Sequence, residues 1–249
     1  MRLLALDTST EHMSVAISQP GDDGAPRLWC DAGAGGAQAS THLIPMIRSL
    51  MAQAGLGFSD LDAIVFGRGP GAFTGLRTAC AVAQGLALGS RADQPQARVA
   101  VLPVDSLLAV AEQARVQQTQ VPPGWEVLAM LDARMDEIYV GHYRWDAGQW
   151  HTLQPPMLAR PQDISAQADV AMAGNVFAVY GARLPSASAT QTRITAWPTA
   201  QAMLRLAPDL LAQGQGVDAA LALPLYIRDK VASTTAERAA AKAVLEDRQ

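Results

Sequence analysis

The strongest constraint on the fold is a stretch where the apolar run Ala63-Ile64-Val65-Phe66 passes directly into Gly67-Arg68-Gly69-Pro70-Gly71-Ala72-Phe73-Thr74-Gly75-Leu76-Arg77 and then into an alanine-rich segment. This pattern reads as strand, glycine turn, helix. Four glycines in nine residues let the backbone come very close to a neighbour, and the first N–H groups of the following helix can face an anion. That is chemistry for holding phosphate. Gly75 is nevertheless followed by Leu76 rather than by the Lys-Ser/Thr of a P-loop, and no Gly-x-Gly-x-x-Gly fingerprint fits. Glycine turns also join strands to helices without binding anything, so spacing alone leaves both readings open.

The residues before the turn supply its neighbours. Runs at 2–6, 13–18 and 27–31, separated by turn-rich segments, predict an antiparallel meander. Ser40 or Thr41 is placed to cap a helix whose first turn or so contains Pro45. Leu43, Ile44, Ile47, Leu50, Met51 and Ala54 then recur at helical spacing. A strand at 61–66 and a helix at 75–89 complete a βββαβα order, whose strand arrangement periodicity does not fix.

The second half begins with a Pro/Gln/charged stretch at 91–98 and a strand at 99–104. Asp105 or Ser106 caps a helix reaching about residue 116. Strands follow at 126–132, 137–145 and 149–153, decorated by Tyr139, Tyr143, Trp145 and Trp150. A short helix at 160–168, a strand at 170–173 and a helix at 199–213, kinked or divided by Pro208, come next. The mixed-charge, alanine-rich stretch 233–246 reads as a terminal helix or frayed tail. The expected division is a first lobe at 1–104, a second at 105–223 and a terminal segment at 224–249.

At 249 residues and 49% hydrophobic content, the chain can bury substantial cores. No apolar run approaches the roughly 20 residues that span a bilayer, and Arg2 is followed by no apolar leader before Asp7. A cytoplasmic protein is expected. Cys30 and Cys80 fit no metal spacing and are expected to pack as buried thiols rather than to pair. A net charge of −4 and a pI near 5.5 argue against strong independent binding to nucleic acid.

Asp7 closes the first strand beside Thr8, Ser9 and Thr10, where a carboxylate can hold a magnesium-bound water while hydroxyls approach phosphate. The same string also serves as plain turn chemistry. His12, His42, His142 and His151 form no pair at metal-binding spacing, and neither His-Glu-x-x-His nor Gly-x-Ser-x-Gly occurs. No metal site is expected, and a metallopeptidase is the least supported function.

Gly69 to Arg77 closely resembles the Gly-Pro-Gly-Ser-Phe-Thr-Gly-Leu-Arg signature of the TsaB family, bacterial subunits of the tRNA threonylcarbamoyladenosine machinery. Leu3 to Thr10 resembles the family's first hairpin, His42 to Ile47 its first helix, Asp132 to Tyr139 its second-lobe hairpin, and Pro224 to Ala232 its carboxy-terminal signature. The resemblance implies an α/β, two-lobed actin-like ATPase fold, each lobe a mixed sheet with flanking helices. It implies a non-catalytic subunit that binds and activates TsaD, with the ATPase TsaE in the assembly, tRNA reached indirectly, and a homodimer when alone. TsaD holds its metal with a His-x-x-x-His pair, whereas the comparable positions here are Ser106 and Val110.

Asp7, Thr8, Ser9, Gly69, Gly71 and Thr74 would line a vestigial nucleotide cleft. No tightly bound cofactor is expected there, only weak ATP or ADP with magnesium. The partner interface would use Leu43, Ile44, Ile47, Leu50 and Met51 on one helix and Leu76, Ala79, Ala83 and Leu86 on the other. The alternative is an autonomous nucleotide-dependent transferase or kinase. Three departures from the family pattern stand out: Ala72 in place of Ser, Gly174-Asn175-Val176 in place of Gly-Asn-Gly, and a lengthened hairpin at 19–26.

Overall fold

The computed structural model describes residues 1–22, 24–90, 99–165, 169–184 and 192–228. Two five-stranded sheets share one plan. The first runs β3-β2-β1-β4-β5, built from β1 (Leu3–Asp7), β2 (His12–Pro20), β3 (Pro26–Ala34), β4 (Ala63–Gly69) and β5 (Ala100–Asp105). The second runs β10-β9-β6-β7-β8, from β6 (Trp125–Arg134), β7 (Glu137–Asp146), β8 (Gln149–Ala159), β9 (Ala171–Gly174) and β10 (Arg193–Thr195). In each, an antiparallel meander is extended by two parallel strands on the far side of its first strand. The expected two-lobed actin-like architecture is this repeated order.

Alternation along β1 sets the layers. Leu4 and Leu6 face a core shared with α1 (Ala39–Ala54) and α2 (Phe73–Ser90), while Leu3 and Ala5 face a second core. A period of two divides a strand's side chains between opposite sheet faces. The second core is closed by α5 (Ala200–Ala212), whose Ala202, Met203 and Leu206 pack on Ala5, Ala16 and Val65. α3 (Ser106–Val116) covers one face of the second sheet, and Ile164, Val176 and Tyr180 of the following segments, including α4 (Phe177–Tyr180), cover the other.

α5 thus crosses back over the expected boundary near residue 104 to cover the first lobe. The residues responsible are small: Ala5, Ala16 and Ala63 on the sheet meet Ala200 and Ala207 on the helix, which permits close approach. The helix is also pinned by Ala200 N–H donating to Ser14 Oγ at 2.9 Å and by the Thr199 hydroxyl, which accepts from Ala202 N–H at 3.1 Å.

Several local expectations differ in detail. α1 begins at Ala39 out of a 3-10 turn at Gly36–Gln38, so neither Ser40 nor Thr41 caps it and Pro45 lies in its second turn. Gly55 closes it in the left-handed region, at φ 67°. α5 continues through Pro208 instead of dividing there. Only Pro161–Asp163 of the helix expected at 160–168 forms a turn of 3-10 helix among the described residues. Cys30 is exposed on edge strand β3, against the expected burial, while Cys80 is buried. The boundary stretch 91–98, the stretch 233–246 and the end of the carboxy-terminal signature lie outside the described residues.

Candidate functional site

Both lobes meet at the carboxyl ends of β1 and β4, where the glycine turn lies against the turn after β1. Each glycine has a specific neighbour. A β-carbon at Gly71 would overlap the Ser9 carbonyl, one at Gly75 the Thr8 carbonyl, and one at Gly67 the Asp7 carboxylate. Ala72 N–H donates to the Ser9 carbonyl at 2.7 Å, and Thr8 Oγ1 donates to the Gly75 carbonyl at 2.7 Å. Gly69, at φ 119°, faces the Leu225 carbonyl, and Leu225 N–H donates to the Arg68 carbonyl at 2.7 Å. The close approach that the glycines permit is used by the chain's own backbone.

Asp7, Thr8 and Ser9 are therefore brought together with Gly69 and Gly71, as the sequence suggested, but all three are buried. Thr74 is exposed, its carbonyl accepting from Thr78 Oγ1 at 3.0 Å. Asp7 Oδ1 accepts from the N–H and the hydroxyl of Ser9, at 3.0 and 2.9 Å. Asp7 Oδ2 has no hydrogen-bond partner among the described residues. Burial pushes this carboxyl up to about 7, against the opposing pull of the two Ser9 bonds. A nucleotide's phosphates do not fit at this turn: the glycine cradle is filled by the Thr8 and Ser9 carbonyls, both hydroxyls are spent internally, and the carboxyl is fully buried.

The cleft between the lobes has features the sequence reading missed. A cavity of about 190 Å³ is lined by Ser9, Glu11, Asp132, Arg134 and Asn175, among others. Glu11 reaches across the lobes to accept from Trp197 Nε1 at 3.3 Å and Asn175 Nδ2 at 3.4 Å. Asn175 Oδ1 in turn accepts from Asp132 N–H at 2.9 Å. A neighbouring cavity of about 280 Å³ lies between Phe73 and Leu76 of α2, the β6–β7 turn, and the segment Leu225 to Arg228. Arg134, Met135 and Asp136 in that turn all have positive φ, between 55° and 62°, an outlier for three consecutive non-glycine residues.

At the two positions where TsaD would carry histidines, Ser106 and Val110 are both buried, and Val110 belongs to the core of the second sheet. Among the described residues, no group of three or more His, Cys, Asp and Glu side chains is placed to hold a metal ion.

The helix residues expected at a partner interface need correcting. Leu43, Ile47, Leu50, Met51, Leu76, Ala79 and Ala83 are all buried within this chain, and all but Leu76 pack in the core of the first lobe. Ala79 and Ala83 allow α2 to approach its own sheet. Apolar residues spread over more than one helical face suggested a second, outward role, but the sheet's own face uses most of them. Ile44 is 48% exposed, and Leu86 is half-buried. Ile44, Gly85 and Leu88 stand on the open sides of the two helices.

Comparison with known proteins agrees with the geometry. The family model described as "TsaD: tRNA N6-adenosine threonylcarbamoyltransferase" matches residues 36–236. The "tRNA threonylcarbamoyladenosine biosynthesis protein TsaB" of Escherichia coli (strain K12) is 32% identical over 241 residues, covering 93% of this chain and 96% of that protein. The protein of the same name from Haemophilus influenzae is 34% identical over 247 residues, covering 93% and 95%. The solved structure of YeaZ from Pseudomonas aeruginosa superposes with a TM-score of 0.77 at 36% identity, covering 90% of this chain and 99% of that one.

Proposed function

The chain belongs to the TsaB family, and on that premise we propose that it is a non-catalytic subunit of the tRNA threonylcarbamoyladenosine machinery that binds and activates TsaD. The observation that carries this reading is the filled cradle. The turn that would grip a nucleotide grips Thr8 and Ser9 instead, so the loop serves the stability of the first lobe. An autonomous kinase or transferase needs that space for phosphate.

In this reading the contribution to catalysis is conformational: binding favours the active arrangement of the partner. The docking surface is the open side of α1 and α2 around Ile44, and the same face supports a homodimer when the partner is absent. TsaE joins the assembled complex in the cytoplasm, and tRNA is contacted mainly through the other subunits.

Reconstitution tests the proposal. Purified TsaD from the same organism should modify tRNA only with this chain present, and the chain alone should be inert. The Asp7→Asn variant, if folded, should support full modification. Transfer by this chain alone, or loss of activity in a folded and TsaD-bound Asp7→Asn variant, would sink it.

A further inference from the structure

The 280 Å³ cavity beside α2 has a rim with an uneven charge account. Two arginines line it, Arg134 and Arg228, and a third, Arg77, lies beside its lining residues Phe73 and Tyr226. Arg228 is paired with Glu137, and Arg134 Nη1 lies 3.0 Å from Asp132. Arg77 has no carboxylate partner among the described residues, and its guanidinium instead contacts two aromatic side chains. Its guanidinium lies 3.8 Å from the centre of the Phe73 ring, and its Nε donates to Tyr226 Oη at 3.1 Å. Phe73 and Tyr226 brace each other, with ring centres 5.1 Å apart.

Around this cation the surface is unusually apolar. Phe73 is 39% exposed, Tyr226 44% and Met135 64%. The cavity next to them is walled by Leu76, Tyr139 and Leu225. Arg, Tyr, Phe and Met around a socket are the composition of an interface core, and an arginine already oriented by aromatic neighbours has less entropy to lose on pairing.

Charge decides the occupant. A second copy presenting the same patch brings no unpaired carboxylate to Arg77, because Asp132, Asp136 and Glu137 at this rim are already held by Arg134, Arg183 and Arg228. A different protein can supply the missing carboxylate. We propose that the cleft mouth around Arg77 is a docking site for a partner segment that seats a large apolar side chain in the cavity and places an adjacent Asp or Glu on Arg77. Resting on the reading under "Proposed function", the partner is TsaD, contacted here in addition to the face around Ile44.

The test measures binding of the full-length protein to purified TsaD from the same organism by titration calorimetry, at low and at high salt. Arg77→Glu should weaken binding about 30-fold or more, the size of a lost arginine hot spot. Arg77→Ala should flatten the salt dependence, Arg77→Lys should restore much of it, and Met135→Ala should weaken binding at both salt concentrations. Unchanged affinity and salt dependence in the Arg77 variants, with Ile44→Glu still breaking the complex, would overturn the second site and leave the proposed function standing. Arg77 variants that alter self-association in sedimentation but leave TsaD binding intact would assign the patch to a second copy and also overturn it. Failure of the wild-type protein to bind TsaD would remove the functional reading and the inference with it.

Discussion

Asp7 shows how a residue type inherited from phosphate chemistry behaves once the phosphate space is closed. Its carboxyl rises from 3.8 to about 7 because it is fully buried, with Ser9 compensating only one of its oxygens. Between those two values the folded state holds a proton that the unfolded state releases, so stability falls as pH rises through this window. At about 1.4 kcal/mol per unit, the penalty approaches about 4 kcal/mol above pH 7 as an upper bound. Asn at this position cannot ionise. Its amide adds an unpaired donor at Gly67 and Met203, a cost that does not depend on pH. Urea denaturation of wild type and Asp7→Asn across pH 4 to 8 should therefore show the variant gaining relative stability up to about pH 7 and levelling off beyond it. A difference that is flat with pH would mean that Asp7 is charged and solvated.

At the scale of elements, α2 contains both kinds of glycine. A β-carbon at Gly75 would collide with the Thr8 carbonyl, which is backbone and cannot swing away, whereas one at Gly85 meets nothing within 4 Å. Gly75→Ala should cost about 3 kcal/mol or more, and Gly85→Ala should stabilise the isolated protein by about 0.5–1 kcal/mol. Thermal denaturation of the two variants checks both signs. On α1 the same logic separates Ile47, 1% exposed, from Ile44, 48% exposed. Ile47→Glu should unfold the first lobe, while Ile44→Glu should keep the circular dichroism of wild type and lose TsaD in co-purification. Equal effects from the two variants would reject the face assignment.

These contrasts mark how far the sequence could be read. Period-two runs and the strand–glycine–helix junction located the sheets and α2 because local side-chain alternation produces them. Which side of α1 and α2 meets the sheet was not legible, since Leu43, Ile44 and Ile47 look alike until strand order is known. The contacts of Gly71 with Ser9 and of Glu11 with Trp197 join residues more than 60 positions apart, and no local pattern records such pairs. β10 and α4, of three and four residues, are too short to carry a period at all.

For the whole molecule, the decisive feature is that α5 returns to the first sheet. Leu3, Ala5, Ala16, Val65 and Leu102 are covered by helix residues that come from beyond position 199. A fragment ending at residue 104 would expose this entire sheet face to water, and burial of apolar surface is the main favourable term in folding. The fragment 1–104 should therefore express as an aggregating or dye-binding species without the slow hydrogen exchange of β1 and β4, although it contains all of the first sheet but the last residue of β5. The full chain should instead unfold in urea as one transition, because the first lobe's core is finished by residues of α5 from the second half of the sequence. α3 covers the sheet of its own lobe while α5 covers the first sheet, so unfolding of the second lobe strips the covering helix from the first. A soluble 1–104 fragment with protected β1 amides would show that α1 and α2 alone sustain the lobe, and that α5 is an accessory rather than half of its core.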